Sequence, residues 1–132
     1  MTHLPETKKC GKCGQVKKQD EFGFNSSGKD GLSSWCSCCG KERKRQSRLA
    51  RYNLTVKQYE LMLKAQNGVC AICKQPEIIK QNNRIIRLAV DHDHTTGKIR
   101  GLLCSTCNIL LAHVENNPEI LKEIPRYLQK GK

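Results

Sequence analysis

Apolar positions along this chain come in short, interrupted groups, and each group has a readable period. In NLTVKQYELMLKAQNG, Val56, Tyr59 and Leu63 recur at helical spacing, Thr55 with Gln58 makes a capping-box pattern, and Gly68 supplies a stop. That predicts a short amphipathic helix. A polar stretch over residues 74–84 then leads into IIRLAV, DHDHTTG and KIRGLLC, two β-branched apolar runs around a turn-forming segment. They predict a hairpin with a charged, histidine-bearing tip. STCNILLAHV, from Ser105, suits a helix, and NPEILKEIPRYL predicts another, with Asn117 as its cap and Pro118 in its first turn. Ile120, Leu121, Ile124 and Leu128 are expected to face inward along it, and Pro125 to kink or split it. Upstream, KERKRQSRLAR over residues 41–51 contains neither Pro nor Gly and is rich in good helix formers, so a strongly basic helix is expected there.

Composition narrows the fold. Only 37% of the 132 residues are apolar and 5% aromatic, too few for a large oily core. Half-sized modules need staples, and nine cysteines are available. They fall as Cys10-x-x-Cys13, Cys36-x-x-Cys39, Cys70-x-x-Cys73 and Cys104-x-x-Cys107, with Cys38 left over. A CxxC knuckle aims two thiolates at one ion, and two knuckles complete the four-sulfur shell of structural zinc, so two zinc sites paired in sequence order are expected. Both spacers exceed the compact ribbon spacing, and Cys38 is either a substitute ligand or a free thiol beside its knuckle. No apolar run approaches bilayer length and no apolar leader is visible, which predicts a soluble, cytoplasmic protein without a membrane partner. The expected organisation is a zinc-ribbon module over residues 1–40, a basic linker helix over 41–52 and a second module over 53–132.

The formal net charge of +12 adds a partner. A basic helix seeks phosphate, and Arg43, Lys44, Arg45, Arg48 and Arg51 are its candidate DNA contacts, against the alternative of a merely solvated linker. The second module encloses Asp91-His92-Asp93-His94 between its knuckles and carries Asn108 directly after Cys107. A zinc saturated by sulfur has no open position for catalysis, so chemistry here calls for a second ion held by oxygen, with the Asp91 carboxylate and the Asn108 amide as candidate ligands and magnesium as the natural ion. A calcium loop is excluded because its glycine and glutamate positions are Thr96 and Leu102. His92 or His94 as a zinc ligand, and Asp93 and His94 as turn caps, remain open alternatives.

RLAVDHDHTTGKIRGLLCSTCN, preceded by GVCAIC, closely resembles the recombination endonuclease VII family of phage nucleases, within the broader HNH or ββα-metal group. The likeness runs from about Tyr52 to the NPEILKEIPRYL tail, and the CGKCG and SSWCSCCGKERKR segments are similar to a zinc-ribbon front end. The resemblance implies a small α+β, zinc-stabilised protein with a ββα-metal (His-Me finger) core, an N-terminal zinc ribbon and a C-terminal helix. It implies that Asp91 and Asn108 hold a catalytic magnesium or manganese ion, that His92 is the general base, and that Cys70, Cys73, Cys104 and Cys107 are the structural zinc set. Where some relatives carry an acid one turn beyond the asparagine, this chain has Leu111, and His113 stands off register for a ligand. Phosphodiester hydrolysis needs one base and one ion, with Arg100 either steadying the scissile phosphate or serving as a surface charge. The function expected is a phage-encoded, metal-dependent endonuclease of duplex DNA, monomeric or weakly dimeric, acting in the bacterial host cytoplasm. The rival readings are a nuclease resolving branched DNA junctions and a non-catalytic zinc-dependent DNA-binding protein.

Overall fold

The first knuckle sits in the turn of a small hairpin, β1 (Thr7–Lys9) against β2 (Val16–Lys18), with Thr7 opposite Lys18. Residues 6–132 are described by the computed structural model, and they divide into two units, one reaching Val56 and one beginning at Lys57. In the first unit a second hairpin pairs β3 (Phe22–Phe24) with β4 (Leu32–Cys36), placing Phe22 opposite Cys36. Its turn requires glycine at position 28, where a Cβ would run into the Leu32 carbonyl. Helix α1 (Ser37–Ala50) grows directly from Cys36, so the basic helix starts four residues before the expected Lys41 and absorbs Gly40. Cys10, Phe22 and Cys36 form the buried centre, with Leu32, Trp35 and Cys39 packed on it. Lys8 and Asp30, 2.6 Å apart, tie the two hairpins together.

The second unit opens with α2 (Val56–Ala65), whose one buried residue, Tyr59, donates its hydroxyl to the Leu88 carbonyl at 2.8 Å. After the third knuckle the chain makes a short exposed ladder, β5 (Lys80–Gln81) with β6 (Arg84–Ile85). The main hairpin follows, β7 (Ala89–His92) with β8 (Ile99–Leu103), and α3 (Ser105–Asn116) packs against both its strands. This is a ββα unit in a small α+β protein. The first strand is shorter than IIRLAV suggests, because Ile85 is taken by the β5–β6 ladder.

The last helix, α4 (Ile120–Gln129), departs from expectation in three ways. Its cap is Glu119, because Asn117 closes α3 instead. Pro125 lies inside a continuous helix and does not split it. The expected inward face is not buried: Leu121 is 62% and Leu128 64% exposed, and Ile124 is exposed as well. Periodicity reports only that a face is apolar; it does not supply a partner, and the hairpin is already covered by α3. No helix among the described residues is long and apolar enough to cross a membrane.

Each unit gathers four sulfurs. Those of Cys10, Cys13, Cys36 and Cys39 lie within 4.8 Å of one another, as do those of Cys70, Cys73, Cys104 and Cys107, whereas exposed Cys38 belongs to neither set. Burial pushes the Cys10 thiol up, but amides of Cys13, Cys36 and Lys12 aim at its sulfur and bring it down to about 6. Cys70 repeats the arrangement, with burial opposed by amides of Cys104, Cys73 and Ile72 and a net value of about 6. Cys39, hydrogen-bonded first to Cys36, and Cys107, buried beside Cys104, rise to about 12. Four converging sulfurs, one per set already stabilised as thiolate by backbone N–H groups, fit tetrahedral zinc.

The purified chain should therefore carry two zinc ions, each contributing on the order of 10 kcal/mol or more to folding its unit. Elemental analysis checks the stoichiometry, and one ion or none refutes it. Cys104→Ser should unfold the second unit, seen as loss of its amide-exchange protection, while Cys38→Ser should leave zinc content and melting temperature unchanged.

Candidate functional site

The hairpin β7–β8 owes its chemistry to one irregularity. In a regular ladder Arg100 would face away from Asp91, because Gly101 is directly opposite Asp91 and neighbours along a strand alternate sides. The pairing jumps from Asp91–Gly101 to His92–Ile99, so Arg100 is an extra residue in a β-bulge. The bulge turns its guanidinium onto Asp91. Arg100 Nε donates to one Asp91 oxygen at 2.8 Å and Nη2 to the other at 3.0 Å, while Nη1 donates to Glu115 at 2.6 Å. A longer contact of 3.4 Å runs from Nη2 to the His92 carbonyl. These two carboxylates, Asp91 before Glu115, hold the Arg100 guanidinium protonated above its ordinary value. Asp91 is buried, at 8% exposure, and this fork pairs both its oxygens.

His92 ends β7 half-buried, and its ring lies 4.7 Å from that of exposed His94, tilted by 54°. Between them Asp93 shapes the tip: one of its carboxylate oxygens accepts from the amides of Thr95 at 2.8 Å and Thr96 at 2.7 Å. Those two amides, Thr96 first, hold the Asp93 carboxyl below the usual range. Gly97, at φ +71°, closes the turn by donating its N–H to the Asp93 carbonyl at 2.7 Å. Asp93 is thus a turn cap.

Asn108 stands in the first turn of α3, half-buried, its own amide tied to the Cys104 carbonyl at 2.9 Å and its side chain without a hydrogen-bond partner among the described residues. The oxygens here, a carboxylate and a carboxamide, are hard donors of the kind that hold magnesium or manganese. The Arg100 fork uses one lone pair on each Asp91 oxygen and leaves another on each, so the donor set is compatible with such an ion. His113 lies exposed near the end of α3.

Two residues that support the hairpin carry no signal in the sequence. Glu77 is buried and accepts from the amides of Ile78 and Ile79, both at 3.0 Å, and from the amide of Ser105 at 2.7 Å, its carboxylate thereby satisfying the start of α3. Burial raises its pKa, and these hydrogen bonds outweigh that and lower it. Gln66 uses its carboxamide as a strand edge, accepting from Leu102 N–H and donating to Leu102 C=O, both at 2.9 Å. Glu77 and Ser105, like Gln66 and Leu102, are too far apart in sequence for local pattern to link them. Glu115 belongs with them, since only the fold brings it to Arg100.

In the first unit Arg43, Lys44, Arg48 and Arg51 are exposed along α1 and its C-cap, while Arg45 is half-buried. Arg100, the sixth candidate DNA contact, has four of its five N–H donors directed at protein oxygens, leaving one for a phosphate.

Comparison with known proteins adds relatives. The "Gene 59 protein" of Mycobacterium phage D29 is 40% identical over 83 residues, which span 62% of this chain and 47% of that one. The "Gene 59 protein" of Mycobacterium phage L5 is 45% identical over 60 residues, 46% of this chain and 34% of that one. The chain thus matches less than half the length of either relative. Among solved structures, the beta-beta-alpha-Me type II restriction endonuclease Hpy99I is similar at 25% identity, with a TM-score of 0.38, over 96% of this chain and 67% of that one. The sequence model of one family, recombination endonuclease VII, matches residues 42–130, from the basic helix through both knuckles of the second unit and the ββα hairpin to α4. Since that match takes in most of the chain, the protein belongs to the recombination endonuclease VII family.

Proposed function

We propose that this chain is a divalent-metal-dependent endonuclease that hydrolyses phosphodiester bonds of duplex DNA, with residues 53–132 as the nuclease domain and the N-terminal zinc ribbon and basic helix as its DNA-gripping extension. The observation that supports this reading best is Asp91-His92 at the end of a strand packed against α3, the helix that carries Asn108, in a chain of the recombination endonuclease VII family. His92 is the general base: its half-buried imidazole takes the proton of the attacking water. Asp91 and Asn108 hold the ion. When bound, a magnesium or manganese ion neutralises charge on the phosphate and its leaving oxygen. Arg100 holds both Asp91 oxygens in one orientation, and its remaining donor is free for a phosphate oxygen. His94, beside His92 on the same tip, supports the ring without taking the proton.

His92→Ala should retain two zincs and DNA affinity but lose about 10² to 10⁴ fold in plasmid nicking, the usual contribution of a general base. Supercoiled plasmid with added magnesium or manganese reads this directly; parental activity in that variant would end the assignment. Asn108→Ala should also lose cutting but regain part of it at high manganese, which His92→Ala should not. His94→Ala should be the mildest of the three.

Reversing Arg43, Lys44 and Arg48 to Glu should weaken binding to all duplex sequences alike. The slope of log affinity against log salt should flatten, since each phosphate contact releases about 0.9 counterion. A titration at several salt concentrations in which slope and affinity stay parental would leave the helix as a linker only.

A further inference from the structure

Beside the basic helix, the first unit has a concavity of about 780 Å³ between β4 and α1 that the proposed hydrolysis does not use. The strand side contributes Trp35 and Ser33, the helix side Arg43, Lys44, Arg48 and Arg51, and no acidic residue lines it. Its volume is in the range of small-molecule clefts, large enough for a nucleotide. Trp35 is the single tryptophan of the chain. It packs on the buried Cys10, Phe22 and Cys36 centre, so its ring rests on the first sulfur cluster. Two cations sit over that ring, Arg43 with its guanidinium carbon 5.1 Å from the centroid and Lys12 with its ammonium at 5.6 Å. Arg43 also lines the concavity, so the cation nearest the cleft is the one a ligand would meet first.

A duplex can satisfy the charges of α1 by laying a row of phosphates along them. It cannot use the recess or the ring, because its bases are paired and stacked inside. A strand with an unpaired base can use both: a base on Trp35, and the flanking phosphates on Lys44, Arg48 and Arg51. Base-on-indole stacking is the stronger contact than an exposed cation on the same ring, so the base displaces the Arg43 guanidinium, which is then available to a phosphate oxygen. We infer that this cleft is a binding site for an unpaired nucleotide of a DNA strand, with Trp35 as its stacking platform. The choice of DNA rests on the proposed nuclease function; the stacking site itself rests on the cleft.

The lone tryptophan makes the test direct. The full chain with both zincs is titrated, without added magnesium or manganese, with a single-stranded DNA oligonucleotide, the RNA of the same sequence, and a blunt duplex, while tryptophan emission and the anisotropy of a labelled strand are recorded. Single-stranded DNA should quench the emission, and the duplex should bind without comparable quenching. Trp35→Ala should lose about tenfold or more in single-strand affinity with duplex affinity unchanged, and Trp35→Phe should recover most of it. Equal quenching by duplex, no quenching by the single strand, or an unchanged single-strand affinity in a zinc-loaded Trp35→Ala chain would each overturn the proposal, and tenfold tighter binding of RNA would overturn its choice of substrate. Should Trp35→Ala lose zinc, Trp35→Phe and the parental quenching decide the matter. Binding is read without cutting, so a chain that fails to cleave plasmid can still pass this test, and one that cleaves can fail it.

Discussion

Sulfur, more than hydrocarbon, holds this protein together. Of its largest fully buried side chains, Leu102 and Leu103 are aliphatic and Cys10, Cys36 and Cys70 are ligands of the two clusters. Burying so few apolar groups, at about 1.5 to 3 kcal/mol each, falls short of the ordering entropy of even one unit. A tetrahedral zinc at each four-sulfur cluster would close that gap by clamping backbone segments that are distant in sequence. The clusters also set the positions of everything attached to them. In the second unit the N-cap of α3 is itself Cys104, whose sulfur accepts from the Cys107 amide at 3.4 Å, so the ligand shell and the helix that carries Asn108 are one object.

On that frame the electrostatics are decided by the bulge at Arg100. A buried aspartate with no partner would be costly and would take up a proton. Here Arg100 forks both Asp91 oxygens, and Glu115 fixes the guanidinium from the other side. A cation beside a carboxylate works against binding a second cation, so the same fork that pairs Asp91 would weaken its hold on any ion.

The unit with the basic helix solves a different problem with the same device. Its cluster anchors Trp35 and the start of α1 together, so an indole and a stripe of arginines share one concavity. Spacing at three and four residues puts Arg43 or Lys44, Ser47 or Arg48, and Arg51 on a common side of the helix. Arg45 falls outside that arc, toward the side of buried Leu49, and is half-buried.

Much of this was legible in the residues alone. The CxxC spacing marked both ligand sets, because two thiolates at that spacing meet an ion through local backbone geometry, while Cys38 stayed open until the structure left it outside both; two apolar runs around the turn-forming DHDHTTG marked the hairpin. Local pattern also marked Asp91 and His92 between the two knuckles and Asn108 directly after the last one, and the family resemblance supplied the expected role of His92. What tertiary structure alone decided are the contacts that join distant positions. The Asp91–Arg100–Glu115 network depends on a bulge that no residue type announces. Glu77 at the start of α3 and Gln66 on Leu102 are buried polar groups whose partners lie far along the chain. The apolar stripe of α4 is the converse case: its period was read correctly and its burial was not, because periodicity records what a face is made of, and only the fold determines whether another surface reaches it.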